Sequence, residues 1–426
     1  MASIGFYIFL LYNLSYFLRF AYRFPICSII HFDQILVICA LGCWLFAQSG
    51  NNRFLNDISR RFKFLIMYII LSFPLVKWPG SIIYYGFEFY LKAIIFFLFF
   101  VAFIDTEKKL KVFVFVFLGC QIFRIIEPGY LHITEGYWGS DAYSMVGGEL
   151  SALDRLSSAP ADVLNPTQFG GLIVTIIPFL YFLFWKSQKI ILKSIFLCLT
   201  PFCLYVLLLT GARSGLICLL VVIFTITYFD SGKTIKLKKI FLSVAIIIPL
   251  LFFSLTLLPS DMQERYFSLV DSSAKGHDTV SGRMKGLATG FNNLFVINNI
   301  LGHGLGTSAE ANYHISGYHI RSHSFYIETI QEVGIIGLIL FLKYIQSIFI
   351  HLALIRRRVD VKKHQWYINI VKSLQAWAAM YLVYCIICFG LSSWEWYLFG
   401  GMAAACLNFS FQFNFEDNDP AEIINN

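Results

Sequence analysis

The sequence predicts an all-α polytopic membrane protein with about twelve transmembrane helices and one large outward-facing loop containing short helices. Three observations predict it. Of the 426 residues, 58% are hydrophobic and only 14% charged, against roughly 25% charged in soluble domains. A soluble core could not hide so much apolar surface, so lipid is the natural solvent. Apolar runs of spanning length recur along the chain. Basic clusters recur between them with a constant sidedness.

The runs are 4–18, 30–48, 63–78, 83–104, 112–126, 167–186, 190–210, 214–229, 240–258, 324–345, 372–391 and 397–412. The first is short. It lacks a basic start and a small-residue cleavage site, so it reads as a span and not as a signal peptide. Five basic clusters then share one side: Arg53 to Lys63, Lys108 to Lys111, Lys186 to Lys193, Lys233 to Lys239, and Arg356 to Lys363. That side is the cytoplasm, with both termini on it. Arg19 and Arg23 fall on the wrong side of this scheme.

Two long loops face outward. Residues 127–166 carry six acids and one base, Arg155, whereas residues 259–323 carry five of each. Loops of this length in a compact protein are usually functional. The tail 413–426 reads as disordered. The formal charge of +8 follows from cytoplasmic loops and implies no nucleic acid, because no basic and aromatic stripe lies outside the apolar runs. The ten cysteines sit in or beside apolar runs, which argues against a disulfide framework. Cys385 and Cys388 read as packing residues within a span.

Charged residues in or near spans are costly and therefore informative. Arg213, in Gly211-Ala212-Arg213-Ser214-Gly215, either snorkels to the interface or grips a phosphate with its guanidinium fork. Glu88 and Lys92, four apart, read as an ion pair on one helix face. Arg283 opens a stretch whose apolar spacing (Met284, Leu287, Phe291, Leu294, Phe295) predicts a surface helix. Near its N-terminus Arg283 either meets an anion or is an ordinary interfacial base. Gly302-His303-Gly304-Leu305-Gly306 lacks the Lys-Ser/Thr of a P-loop and reads as a turn returning the chain over the bundle. His323 ends the large loop. There it is either a general base working near neutral pH or one uninvolved histidine among several. No zinc spacing, HExxH or Gly-x-Ser-x-Gly elbow is present, so neither a metal nor another cofactor is expected.

Taken together, these residues resemble a known family. His323-Ser324 followed by Gly334 and Gly337 looks like the histidine motif of bacterial O-antigen ligases. Arg283 with Leu287 looks like their periplasmic arginine–leucine motif, and Arg213 resembles their membrane-edge arginine. The resemblance covers about Asn165 to Leu342, and the wider superfamily includes O-antigen polymerases. It implies an undecaprenyl-diphosphate-linked glycan donor, a glycan acceptor, and transfer at the periplasmic face of the inner membrane. On this pattern Arg213 and Arg283 hold the donor diphosphate and His323 takes the acceptor proton, with Arg155 and Arg321 as secondary contacts. A chain-length regulator is a further candidate partner. Polymerase and ligase both stay open. A transporter is the reading from another class, disfavoured because the halves are unlike and the candidate residues gather at one face.

Overall fold

The computed structural model describes residues 2–47, 52–139, 143–146, 149–152, 155–162, 164–230, 256, 260–267, 287–288, 290–291, 300–317, 319, 321–322, 324–360, 363–387 and 390–417. Its described helices of eight residues or more are α1 (Ala2–Leu18), α2 (Phe32–Ala47), α3 (Asp57–Ser72), α4 (Pro79–Phe103), α5 (Glu107–Glu135), α6 (Pro166–Trp185), α7 (Ile190–Leu209), α8 (Arg213–Asp230), α9 (Ser260–Phe267), α10 (Ser308–Ser316), α11 (Phe325–Arg358), α12 (Gln365–Tyr384) and α13 (Glu395–Asp417). Tyr143–Val146 and Glu149–Ala152 form an antiparallel hairpin, β1 and β2, in the expected first loop. Every expected span except 240–258 overlaps a helix, and of 240–258 only residue 256 is described. Five of these helices, α4, α6, α7, α8 and α11, are long and apolar enough to cross a membrane.

Local sequence sets the helix ends. Asn165 caps α6: its Oδ1 accepts from the N–H groups of Thr167 (3.0 Å) and Gln168 (2.9 Å), with Pro166 at the first helical position. Thr106 caps α5, and Gly136 closes it at φ 70°. That helix runs on past the expected span end at 126, so Glu127 and Glu135 are helical and not in the loop. Likewise α13 runs to Asp417, so part of the expected disordered tail is helical. Residues 418–426 lie outside the described residues.

The described basic clusters sit at helix ends. Lys108, Lys109 and Lys111 follow α4, Lys186 and Lys189 join α6 to α7, and Arg356 to Arg358 close α11. Arg53 joins them, its Nη1 donating to the Ala102 carbonyl at 2.8 Å. The Lys233 to Lys239 cluster lies outside the described residues. Arg19 and Arg23 follow α1, and the structure shows what neutralises them there. Arg23 grips Glu127 with both terminal nitrogens, and Arg19 Nε lies 3.6 Å from Asp162. The charge rule is satisfied by local pairing instead of by sidedness.

In lipid the helices gain nothing from hiding apolar surface from one another, so close packing and dispersion must join them. Aromatic side chains supply much of it between α1, α4, α5 and α13. Phe9 meets Phe99 edge-on with centroids 5.9 Å apart, Phe17 meets Trp394 at 4.9 Å, and Trp377 of α12 meets Phe399 at 4.1 Å. Such pairs contribute about 0.5–1.5 kcal/mol each beyond buried area. On α13, Gly401 lets α4 approach: a methyl there would meet Phe100 Cβ at 2.8 Å.

Candidate active site

Among the described residues, three places lie at or beside the candidate motifs. The first is the corner between α7 and α8. A helix C-terminus leaves carbonyls unpaired, and here the loops satisfy them. The Tyr266 hydroxyl donates to Leu208 O (2.9 Å), the Leu156 N–H to Leu209 O (2.9 Å), and Arg155 Nε to Thr210 O (2.8 Å). Gly211 then turns the chain at φ 57°, and Arg213 opens α8, half-buried. Arg155 is buried and supports the turn that presents Arg213. The structure thus brings these two predicted arginines to one corner.

The second place is a break in α11. Gly334 has φ 72° and ψ −178° in mid-helix. The carbonyls released by the break are met by the glycine turn. The His303 N–H and its Nδ1–H both donate to Gln331 O at 2.8 Å, and the Gly304 N–H donates to Glu332 O at 2.9 Å. The Tyr68 hydroxyl takes Val333 O at 2.8 Å. Gly302, Gly304 and Gly306 have φ of 81°, 125° and 74°, a region that favours glycine. The motif is therefore a backbone dock against a broken helix, as the turn reading expects. Trp78 stacks on both His303 and His314 with centroids 5.0 Å apart. Burial pushes His303 below its usual value near 6.5. It is therefore neutral at pH 7 and donates through Nδ1. Its Nε2 has no hydrogen-bond partner among the described residues.

The third place surrounds position 323. His323 itself lies outside the described residues, but both neighbours are pinned. Ser322 Oγ donates to Gln331 Oε1 (2.7 Å), Gln331 Nε2 to Asn312 Oδ1 (2.9 Å), and Asn312 Nδ2 to Ser322 Oγ (3.1 Å). Ser324 is buried, and the Phe325 N–H after it donates to Cys385 O at 3.0 Å. Arg283 also lies outside the described residues. Of its expected helix, 287–288 and 290–291 are helical, and a methyl on Gly290 would meet Ile327 Cγ2 at 3.2 Å. The segment carrying Leu287 thus packs on the helix that follows His323.

Sequence reasoning passed over a buried acid pair here. Glu328 and Glu332 lie one turn apart on α11, 1% and 5% exposed. Ser308 Oγ donates to Glu328 Oε1 at 2.9 Å, and the Gly390 N–H to Glu328 Oε2 at 2.6 Å. Arg321 is within electrostatic reach of both carboxylates and lines a small cleft with Glu332, Tyr90 and Ser392. The signal was available, since two acids four apart in an apolar run are costly unless served.

A cavity of about 970 Å³ opens beside this cleft, sharing Phe89 and Ser392 with it. Its walls come from α1, α2, α4, α5, α6, α12 and the start of α13. Arg124 stands in it as a second group that sequence reasoning missed. Its Nε and Nη2 donate to the two Asp162 oxygens (2.6 and 3.0 Å), and Nη1 donates to Gln121 Oε1 (3.0 Å). The Glu88–Lys92 pair forms as expected, 2.5 Å apart, on the cavity wall. Among the described residues no three His, Cys, Asp or Glu side chains come together as a metal site.

Residues 196–342 match the family model described as O-antigen ligase. That match supports the O-antigen ligase and polymerase superfamily, to which the motifs are similar. A search of curated proteins finds no significant match. The O-antigen ligase segment holds Arg213, Arg283, Arg321, His323, the glycine turn and the acid pair. It holds none of the residues that line the large cavity, all of which lie before 176 or after 376.

Proposed function

We propose that this chain is a membrane glycosyltransferase that polymerises undecaprenyl-diphosphate-linked O-antigen or polysaccharide repeat units at the periplasmic face of the bacterial inner membrane. The observation that carries the reading is the O-antigen ligase match, in a segment holding Arg213, Arg283 and His323 in motif order, on a chain of membrane-length apolar helices. The polymerase choice rests on the sequence setting of Arg283 and the glycine turn. Transfer to lipid A–core is the second reading, favoured by the description of the matched family.

In the proposed reaction His323 accepts the proton of the acceptor hydroxyl as its oxygen attacks the anomeric carbon. The diphosphate leaves carrying growing negative charge. Arg213 and Arg283 stabilise it, and no metal is required, because donors fixed in advance cost no reorganisation at the moment of reaction. Arg155 braces the Arg213 turn, and Arg321 extends the cationic surface toward the cleft. On the expected topology the long loops face the periplasm and both termini face the cytoplasm.

The test is a deletion strain. Core capped with a single repeat unit identifies a lost polymerase. Uncapped core with accumulated lipid-linked polymer identifies a lost ligase. A strain with unaltered surface glycan overturns both.

A further inference from the structure

The large cavity has features of a built site. Gln121 is 1% exposed and Trp377 fully buried, and both line it. Gln121 Nε2 and Trp377 Nε1 each lack an acceptor among the described residues. The Gln121 amide is oriented, because its oxygen already accepts from Arg124. Two buried N–H donors against one cavity call for a ligand that brings acceptor oxygens. Aromatic rings of Tyr16, Tyr384 and Trp394 add flat apolar faces to the same wall.

The charges narrow the class. Lys92 is paired with Glu88, and Arg124 and Arg19 with Asp162. Asp33 and Glu395 add two more carboxylates. The cavity therefore offers no excess of positive charge, and a diphosphate gains little there. A ligand with many oxygens, little net charge and apolar ring faces fits, and sugars have that chemistry. The volume of about 970 Å³ is at the upper end of ordinary ligand pockets, enough for a short oligosaccharide.

We propose that this cavity binds the sugar portion of the lipid-linked substrate, with Gln121 and Trp377 as specificity-determining donors. The inference rests on the glycosyltransferase reading and deepens it. The O-antigen ligase segment carries the transfer chemistry, and the rest of the chain selects the glycan.

The test uses full-length protein in lipid nanodiscs. Trp377→Phe keeps a ring and deletes the N–H. Gln121→Glu keeps the oxygen that Arg124 grips and deletes the donor. Each raises KM for the lipid-linked glycan about fivefold, the worth of one neutral hydrogen bond, with kcat within twofold in protein that stays folded at the assay temperature. If Gln121→Glu fails to fold, Trp377→Phe decides alone. Direct binding is read by tryptophan fluorescence with the soluble repeat-unit oligosaccharide released from its lipid by mild acid. Wild-type protein that binds this oligosaccharide yet transfers nothing overturns the glycosyltransferase reading and leaves the cavity assignment standing. Wild-type protein that transfers, with variants that bind and turn over as it does, overturns the cavity assignment. So does a fluorescence response to phospholipid chains and none to the saccharide.

Discussion

The O-antigen ligase segment and the cavity outside it are held together by different physics. In the segment, backbone geometry does the positioning. Gly211, Gly302, Gly304, Gly306 and Gly334 all adopt positive φ, and released carbonyls are met by loop N–H groups. Around the cavity, side chains do it, through the buried Arg124–Asp162 pair and edge-to-face aromatics. The difference teaches where variation is tolerated. A backbone dock keeps its shape while side chains around it change. A wall of side chains can be retuned one contact at a time.

The largest test of this division is His323→Ala. As the proposed base it contributes about 10²–10⁴-fold to the rate. Its loss is expected to lower kcat about a thousandfold while oligosaccharide binding in the cavity holds. A fall in binding without a fall in kcat would reverse the roles of the two regions.

Asp162→Asn probes the side-chain region. It leaves the buried Arg124 guanidinium without its counter-charge, which costs about 3–5 kcal/mol. A thermal midpoint equal to wild type in detergent would show that the cavity wall does not depend on this pair. Gly334→Ala probes the backbone region. A methyl there is strained at φ 72° and collides with the Ile300 carbonyl. The expected loss is about 1–3 kcal/mol, and transfer falls with it because the 302–306 turn shifts. Unaltered transfer by a folded Gly334→Ala protein would detach the turn from the chemistry.

The smallest expected effect is a pH slope. His303 sits below its ordinary value because burial disfavours its charged form, with Lys77 adding to the shift and Glu310 opposing it. The unfolded chain therefore binds a proton near pH 6.5 that the folded chain refuses. This contribution to stability is complete above pH 6.5 and is lost as pH falls through that value. The thermal midpoint should drop from pH 7.5 to 5.5, and less so in His303→Gln. Parallel slopes would place the pH sensitivity elsewhere.

Much of the fold was legible because hydropathy and loop charge are local properties. Every expected span but 240–258 overlaps a helix, five of these helices are long and apolar enough to cross a membrane, and Glu88 pairs with Lys92 as their spacing requires. The resemblance of the 165–342 stretch was legible because its motifs are contiguous. Arg19 and Arg23 misled the charge rule, since their partners Asp162 and Glu127 lie more than a hundred residues away. Glu328 was in view beside His323, but its donors Ser308 and Gly390 come from two other segments. No spacing rule joins groups that meet only across the bundle.

The sequence by itself determined that this chain belongs in lipid, which segments are basic, and which motifs resemble the O-antigen ligase family. Each of these depends on composition or on residues close in the chain. The tertiary structure alone decided that α11 breaks at Gly334 to receive the glycine turn, that Arg155 braces the Arg213 corner, and that Gln121 and Trp377 face one cavity. Those outcomes depend on which distant carbonyls and N–H groups must be satisfied once water is excluded, and that is fixed only when the helices pack.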